Sequence, residues 1–273
     1  MPSITFDFFG TQVRVHVPTV DDALHLCRYY RDYRIADHSC VSPMFEVRLL
    51  AADGISFIEA LLSRSILKSI WLRRYGGEWE LYETFSHKPS KVTPIPPLLL
   101  RQDASFSLTH ASAFGVTEAT GTNRAVVVRG DSGSGKSTIL MRAMEAGASF
   151  ISDDMTWVRC GHVHPFTRPI GIRSGLARSL DTSVLKCCQR HGVRLETNGE
   201  LTYMVHPRDL GLLVLDHAVA PTATVQLMRS DTIKLIEDPE LPGRFTLMWN
   251  PRTDGERGWD ELAKALKTRG ITP

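Results

Sequence analysis

A glycine-rich stretch constrains the fold of this 273-residue chain more than any other feature. Residues 130–137 read Gly-Asp-Ser-Gly-Ser-Gly-Lys-Ser and fit the pattern G-x-x-x-x-G-K-[ST]. The stretch follows an apolar run, 125–128, that predicts a strand, and it precedes residues 138–146, whose apolar positions have helical spacing. Strand, turn and helix in this order are typical of an α/β sheet protected by helices. The sequence therefore predicts an α/β fold.

The same stretch predicts a phosphate-binding loop. Glycines let backbone N–H groups approach a polyphosphate, and the following helix turns its N-terminus toward the negative charge. Lys136 adds a cation, and Ser137 adds a hydroxyl that can bind Mg²⁺. We therefore expect ATP and Mg²⁺ as cofactors; the loop leaves GTP open. The residues expected to bind the nucleotide are Gly130, Asp131, Ser132, Gly133, Ser134, Gly135, Lys136, Ser137 and Thr138.

Two adjacent acids supply the second half of the predicted site. Asp153 lies seventeen residues after Lys136, which leaves room for one helix and a short return strand. We expect that strand to run beside the strand that feeds the loop, with both aspartates at its carboxyl end, where open α/β sheets bind ligands. Asp153 would bind the metal beside Ser137, and Asp154 would accept the proton of an acceptor hydroxyl.

Composition limits the remaining classes of function. The chain is 42% hydrophobic and 23% charged, with a net charge of +2, so it is typical of a globular protein and gives no electrostatic indication of nucleic-acid binding. The first residues resemble a strand, so we expect no signal peptide, and no apolar run has the length that would predict a membrane span. Five cysteines without paired spacing indicate reduced thiols. The prediction is a cytoplasmic enzyme that binds neither nucleic acid nor membrane.

The N-terminal part predicts a small α+β domain. Alternating apolar residues over 4–17 indicate a hairpin, and Thr19 or Asp21 could begin a helix with Ala23, Leu24, Cys27 and Tyr30 on its apolar face. A strand at 45–50, a helix at 56–66 and a hairpin across Gly76-Gly77 follow. Four prolines in 88–97 place the domain boundary there. Residues 1–97 would serve substrate binding or oligomerisation, and 98–273 would form the nucleotide-binding catalytic domain.

Weaker patterns complete the second domain. A strand is predicted at 148–151, and Leu176, Leu180, Val184 and Cys188 predict one helix closed by Gly192. Residues 212–215 and 224–228 indicate late strands, and 260–267 a terminal helix.

Three segments together resemble a known family. They are His110-Ala111-Ser112, residues 124–138 with the glycine-rich loop, and residues 147–154 ending in the two aspartates. Their order and spacing resemble the catalytic core of HPr kinase/phosphorylase and of HPr-kinase-related peptide kinases. The resemblance covers about residues 108–158. It implies a phosphoenolpyruvate-carboxykinase-like P-loop kinase domain with a mixed sheet, phosphorylation of serine hydroxyls with ATP and Mg²⁺, and a homo-oligomer.

The resemblance also assigns roles to residues. Lys136 and Ser137 would hold phosphate and metal, Asp153 and Asp154 would serve metal and proton transfer, and His110 would lie beside the site. Arg168 and Arg173 could neutralise phosphate charge. The segment around them departs from the family signature E-I-R-G-L-G-I, so the resemblance does not extend to phosphorolysis or to HPr as substrate. The N-terminal part fits shorter kinases of ribosomal-peptide maturation, such as lasso-peptide precursor kinases.

The leading hypothesis is an ATP- and Mg²⁺-dependent kinase acting on a serine of a peptide or small protein, with a ribosomal-peptide precursor as one candidate substrate. Two alternatives stay open. One is a kinase for a small-molecule hydroxyl of a sugar, amino acid or antibiotic. The other is a regulator that binds ATP and transfers nothing.

Overall fold

A computed structural model describes residues 1–35, 45–50, 69–74, 79–82, 105–197 and 200–273. The chain divides into two compact units, Met1–Asp103 and Ala104–Pro273, and each is described by itself. The helix predicted at 56–66, the turn at Gly76-Gly77 and the boundary predicted within 88–97 lie outside the described residues.

The first unit contains a five-stranded sheet in the order β1-β2-β3-β4-β5. The alternating apolar residues of its hairpin are buried, including Phe6, Phe8, Val13 and Val15. Neighbouring strands pair antiparallel, except for the parallel pair β2 and β3. The elements are β1 (Ser3–Phe8), β2 (Thr11–His16), α1 (Val20–Tyr29), β3 (Phe45–Leu50), β4 (Ser69–Arg74) and β5 (Trp79–Tyr82).

Helix α1 begins as predicted but buries a partly different face. Thr19 caps it, because its hydroxyl accepts the N–H of Asp22 while the Asp22 carboxylate accepts the N–H of Thr19. The buried residues are Asp22, Leu26 and Tyr29, whereas Leu24 is exposed. The predicted apolar face is therefore correct for Tyr30, which is buried, and wrong for Leu24, because Leu26 and Tyr30, four residues apart, share the face that enters the core.

The second unit is a mixed α/β arrangement around a large sheet. That sheet has the order β16-β17-β15-β8-β7-β18, and β9 also pairs with β7. The elements in chain order are β6 (Phe106–Thr109), β7 (Ala111–Glu118), β8 (Asn123–Gly130), α2 (Lys136–Glu145), β9 (Ser149–Ser152), β10 (Thr156–Arg159), β11 (His162–His164), β12 (Ile170–Arg173), α3 (Ser174–Ser179), α4 (Thr182–His191), β13 (Val193–Thr197), β14 (Glu200–Val205), β15 (Pro221–Arg229), β16 (Lys234–Glu237), β17 (Arg244–Trp249), α5 (Gly255–Thr268) and β18 (Ile271–Thr272).

Strand β8 lies at the centre of this unit and is buried on both faces. Val126 and Val128 pack in a core with α2 and α5, while Ala125 and Val127 pack in a second core with Ile151. Burial on both faces explains why the run 125–128 is continuously apolar instead of alternating. The strand therefore holds the segment that follows it on a rigid base.

The position of β9 differs from the prediction. It was expected beside β8, but β7 lies between them: β7 pairs antiparallel with β8 and with β9. Two antiparallel pairings make β9 run in the same direction as β8, so both strands still end at one edge of the sheet. The same edge receives the start of β7. The predicted adjacency was wrong, yet the carboxyl ends of the two strands remain on one side.

Two other predictions need correction. The single helix expected over 176–188 is two helices, α3 and α4, because Leu180 is extended and Asp181 caps α4 through the N–H of Ser183. The strand expected at 212–215 is reduced to an isolated bridge between Val214 and Phe150. Among the residues that the structure describes, no helix has the length and apolar character needed to cross a membrane.

Candidate phosphate-binding site

Residues 130–137 connect β8 to α2 as the sequence predicts. Gly135 precedes the helix in a left-handed conformation, with φ of 100°. A β-carbon at this position would overlap the Trp249 ring and would lie 2.7 Å from the β-carbon of Pro251. Backbone conformation and available space therefore both require glycine at the start of α2. Hereafter residues 130–137 are called the loop.

The side chain of Lys136 folds back over the loop. Its Nζ donates to the backbone oxygens of Gly130 at 2.8 Å and Asp131 at 3.1 Å. Burial lowers the pKa of Lys136, and the nearby Asp154 and Asp153 charges oppose this shift. The ammonium group thus stands at the loop among acceptors that a phosphate oxygen could replace.

His110 joins Lys136 to the second aspartate. Its Nδ1 lies 3.0 Å from the backbone oxygen of Asp154, and its Nε2 lies 3.1 Å from Nζ of Lys136. A carbonyl oxygen only accepts, so Nδ1 carries the proton and Nε2 accepts from the ammonium group. This pattern selects the neutral tautomer with hydrogen on Nδ1. The structure therefore brings His110 into contact with the Lys136 ammonium group and with the backbone of Asp154.

Asp153 is buried and faces the loop. The Ser137 hydroxyl donates to its carboxylate, at 3.1 Å from Oδ1 and 3.2 Å from Oδ2. The buried Ser112 hydroxyl donates to Oδ1 at 2.6 Å. Burial, and after it the charge of Asp154, raises the pKa of Asp153, while the two serines and Arg168 act in the opposite direction. A buried carboxylate with these donors is suited to face a cation.

Asp154 has a different environment although it is the next residue. Strand β9 ends at Ser152, and Asp154 adopts a left-handed conformation with φ of 65°. Its side chain is about one-third exposed, and Oδ1 lies 4.0 Å from Nδ1 of His110. Leaving strand geometry removes the alternation that would send neighbouring side chains to opposite faces. One carboxylate is therefore enclosed and the other is accessible.

The two arginines predicted near phosphate occupy different positions. Arg168 is buried, and its Nη2 donates to the backbone oxygen of Asp153 at 2.8 Å. Arg168 therefore contacts the backbone of Asp153 and stabilises it there. Arg173 is half-buried at the junction of β12 and α3.

Three residues were missed by sequence reasoning about the site. Ser112, Arg229 and Trp249 contact Asp153 or the loop directly. Ser112 is a polar residue in the otherwise buried start of β7, and this was the one sequence signal for a role. Its contact with Asp153 was not predicted. Arg229 and Trp249 follow the loop by about a hundred residues, and no short-range pattern marks them.

The geometry fits a magnesium-bound polyphosphate. The described ranges contain no cluster of three or more His, Cys, Asp or Glu side chains suited to a metal ion. Mg²⁺ does not need such a cluster, since it is commonly held by one or two carboxylates, phosphate oxygens and water. Ser137 and Asp153 are the residues that would hold it here.

Comparisons with known proteins give little beyond this geometry. No protein-family description matches the chain, and no curated protein matches it. Among solved structures, the HPr(Ser) kinase/phosphatase from Coxiella burnetii is similar at 12% identity with a TM-score of 0.33, covering 59% of this chain and 89% of that chain.

Proposed function

We propose that this protein is an ATP- and Mg²⁺-dependent phosphotransferase that transfers the γ-phosphate to a hydroxyl group. The acceptor that we propose is a serine of a peptide or small protein. The proposal has two parts with different support, one for nucleotide chemistry and one for the acceptor.

The contact between Ser137 and Asp153 carries the nucleotide part. In P-loop enzymes a loop serine or threonine and a separate aspartate together hold the magnesium ion. Here a serine at the loop's last position shares its hydroxyl proton with a buried aspartate at the end of another strand. Burial of a carboxylate costs free energy, and a glycine-rich turn that binds no ligand would not compensate for that cost.

The side chains around this contact would have separate roles in the reaction. Lys136 and the first N–H groups of α2 would bind phosphate oxygens. Bound Mg²⁺ supplies neutralisation of phosphate charge. In the transfer, the acceptor oxygen bonds to the γ-phosphorus while the bond from that phosphorus to the β–γ bridging oxygen breaks. The hydroxyl proton passes to the accessible carboxylate of Asp154, and ADP leaves with the bridging oxygen on its β-phosphate.

The serine acceptor is supported by the motif resemblance of residues 108–158. The loop itself contacts phosphates and carries no information about the acceptor. A small-molecule hydroxyl therefore stays the alternative for this part, and an ATP-binding regulator stays the alternative for the whole.

The test has two stages. Isothermal titration calorimetry first measures binding of ATP and GTP with and without Mg²⁺. Mass spectrometry then follows a library of peptides with one central serine, incubated with the protein and Mg²⁺-ATP, for the gain of one phosphate. The control library has alanine at that position, and the control protein is Asp154→Asn. We expect Mg²⁺-dependent binding and phosphate on the serine library only.

Other results are informative. Absence of nucleotide binding contradicts the entire proposal. Binding with phosphate on sugars, amino acids or antibiotics instead of peptides contradicts the serine acceptor. Binding without ADP release for any acceptor supports a regulator and contradicts transfer.

A further inference from the structure

Arg229 contacts the outer side of the loop. It is the last residue of β15, which runs parallel to β8 with Leu227 opposite Gly130, so it lies just beyond the point where the loop begins. Its Nη2 and Nε donate to the backbone oxygen of Gly133 at 2.9 and 3.2 Å. Nη2 also lies 3.5 Å from the backbone oxygen of Ser132. One guanidinium group therefore spans two successive carbonyls.

Gly133 explains how the guanidinium group fits so closely. The pattern G-x-x-x-x-G-K-[ST] does not require glycine at this position. Gly133 has a φ of 78°, and a β-carbon there would overlap the terminal nitrogen of Arg229. Glycine at position 133 therefore suits both the left-handed backbone conformation and the approach of Arg229.

A second side chain acts on the next carbonyl. Nε1 of Trp249, the last residue of β17, donates to the backbone oxygen of Ser134 at 2.9 Å. In a trans peptide the carbonyl and the following N–H point in opposite directions. Holding the Ser134 carbonyl from outside therefore turns the N–H of Gly135 inward. We call Arg229 and Trp249 the outer clamp of the loop.

The turn inside the loop is fixed by the same arrangement. The N–H of Ser134 donates to the backbone oxygen of Asp131 at 3.0 Å, and Arg229 holds the carbonyl on the other side of that peptide group. Both ends of the Gly133–Ser134 peptide are thus held. A loop with fixed peptide planes binds an anion without reorganising its donors first.

We propose that Arg229 is a positioning residue for nucleotide binding: it holds the carbonyls of the loop outward and so keeps the loop in the shape that receives a polyphosphate. This inference rests on the proposed function. Arg229 also adds a positive charge at the edge of the sheet where the phosphates would lie. Its guanidinium group donates to the carbonyls of the loop. An arginine that contacts the γ-phosphate would instead extend into the space that receives the nucleotide.

The two roles predict different results for ATP and ADP. The loop encloses the phosphates that both nucleotides share, so loss of loop shape weakens both equally. A contact to the γ-phosphate would weaken ATP alone. The dissociation constants of Mg²⁺-ATP and Mg²⁺-ADP, measured by calorimetry, therefore separate the roles without relying on turnover.

The main variant is Arg229→Ala. Arg229 is exposed, so we expect the variant to fold with an unchanged thermal unfolding midpoint. We expect both dissociation constants to rise about tenfold, about 1.4 kcal/mol. Arg229→Lys should recover only part of this loss, because an ammonium group keeps the charge but not the planar two-carbonyl contact. The matched control is Arg244→Ala, an exposed arginine at the opposite end of the neighbouring strand, and it should bind as the wild type does.

A double-mutant cycle tests the contact itself. Gly133→Ala should weaken nucleotide binding in the wild type both by backbone strain and by displacing the guanidinium group. In the Arg229→Ala background only the strain remains, so the second loss should be smaller. Equal losses in both backgrounds would contradict the proposed contact.

Failure of this inference is distinct from failure of the proposed function. If the wild type binds no nucleotide, the proposed function fails and the inference with it. If the wild type binds but Arg229→Ala binds equally well, the inference alone is wrong. A loss confined to ATP would replace the positioning role by a γ-phosphate contact.

Discussion

The Ser137 hydroxyl lies 3.1 Å from Oδ1 of Asp153, although the two residues are sixteen positions apart in the sequence. The chain makes this contact by leaving β8, forming the loop, running through α2 and returning in β9. Because β8 and β9 run in the same direction, the first residue after β9 arrives at the edge where the loop begins. The contact thus follows from topology, and it places a hydroxyl and a carboxylate where one cation could touch both.

Removal of the Ser137 hydroxyl should weaken metal-dependent binding. We expect Ser137→Ala to lose most of the Mg²⁺-dependent part of nucleotide affinity and about a hundredfold in kcat/KM. Ser137→Thr keeps a hydroxyl and should retain most of both. Calorimetry with Mg²⁺ and with EDTA measures the difference. Equal Mg²⁺ dependence in the alanine and threonine variants would show that the hydroxyl does not hold the metal.

Asp153→Asn should lower activity and raise stability at neutral pH. Burial and the Asp154 charge raise the pKa of Asp153 above its ordinary value of 3.8. The folded state therefore binds the proton more tightly than the unfolded state. Stability falls as the pH rises from the unfolded-state pKa of Asp153 to its folded-state pKa. Above the folded-state pKa the cost of the buried charge is fully present. Asparagine removes that cost while it can still accept a hydrogen bond from Ser112.

Thermal unfolding in EDTA measures this effect. Near pH 7 the unfolding midpoint of Asp153→Asn should be higher than that of the wild type. The corresponding gain in the free energy of unfolding should be on the order of 1 kcal/mol. The difference should shrink as pH falls toward 4. A wild type that is the more stable protein at neutral pH without metal would contradict the argument. Asp260→Asn, at an exposed position of α5, serves as a control for a general charge effect.

The part of the site that could be predicted from sequence is the part joined by a short chain. The loop, α2 and the aspartate pair lie within one strand–helix–strand segment, so spacing alone placed Lys136, Ser137 and Asp153 together. Gly147, which follows the end of α2, has a φ of 100°, the left-handed conformation in which glycine commonly ends a helix. Local geometry determined these features, and local patterns therefore revealed them.

The rest depends on contacts between distant segments. Whether β7 or β8 lies next to β9 is decided by strand pairing, which leaves no periodic signal, and the predicted adjacency was wrong for that reason. Arg229 reaches Gly133 across 96 residues, and Trp249 reaches Ser134 across 115. Residues at strand ends show their partners only when the order of strands in the sheet is known.

Asp154→Asn tests the proposed proton acceptor. The accessible carboxylate would be replaced by a group of similar size that accepts no proton, so kcat should fall a hundredfold or more. The dissociation constant of Mg²⁺-ATP should change little, because Asp153 retains the metal position. Steady-state kinetics with the identified acceptor and calorimetry with ATP measure the two effects. Wild-type turnover in this variant would eliminate Asp154 as the base.

Lys136 and His110 should differ in how much they contribute. Lys136→Ala removes the cation at the loop and should reduce turnover a hundredfold or more. His110→Ala leaves the ammonium group with the backbone oxygens of Gly130 and Asp131, so we expect a smaller loss of about tenfold. His110→Asn, which can donate to the Asp154 carbonyl but reaches less far toward Lys136, should fall between His110→Ala and the wild type. Single-turnover kinetics at saturating Mg²⁺-ATP measure each loss. A His110→Ala loss as large as that of Lys136→Ala would assign the histidine a direct part in the transfer, since holding Lys136 alone could not account for it.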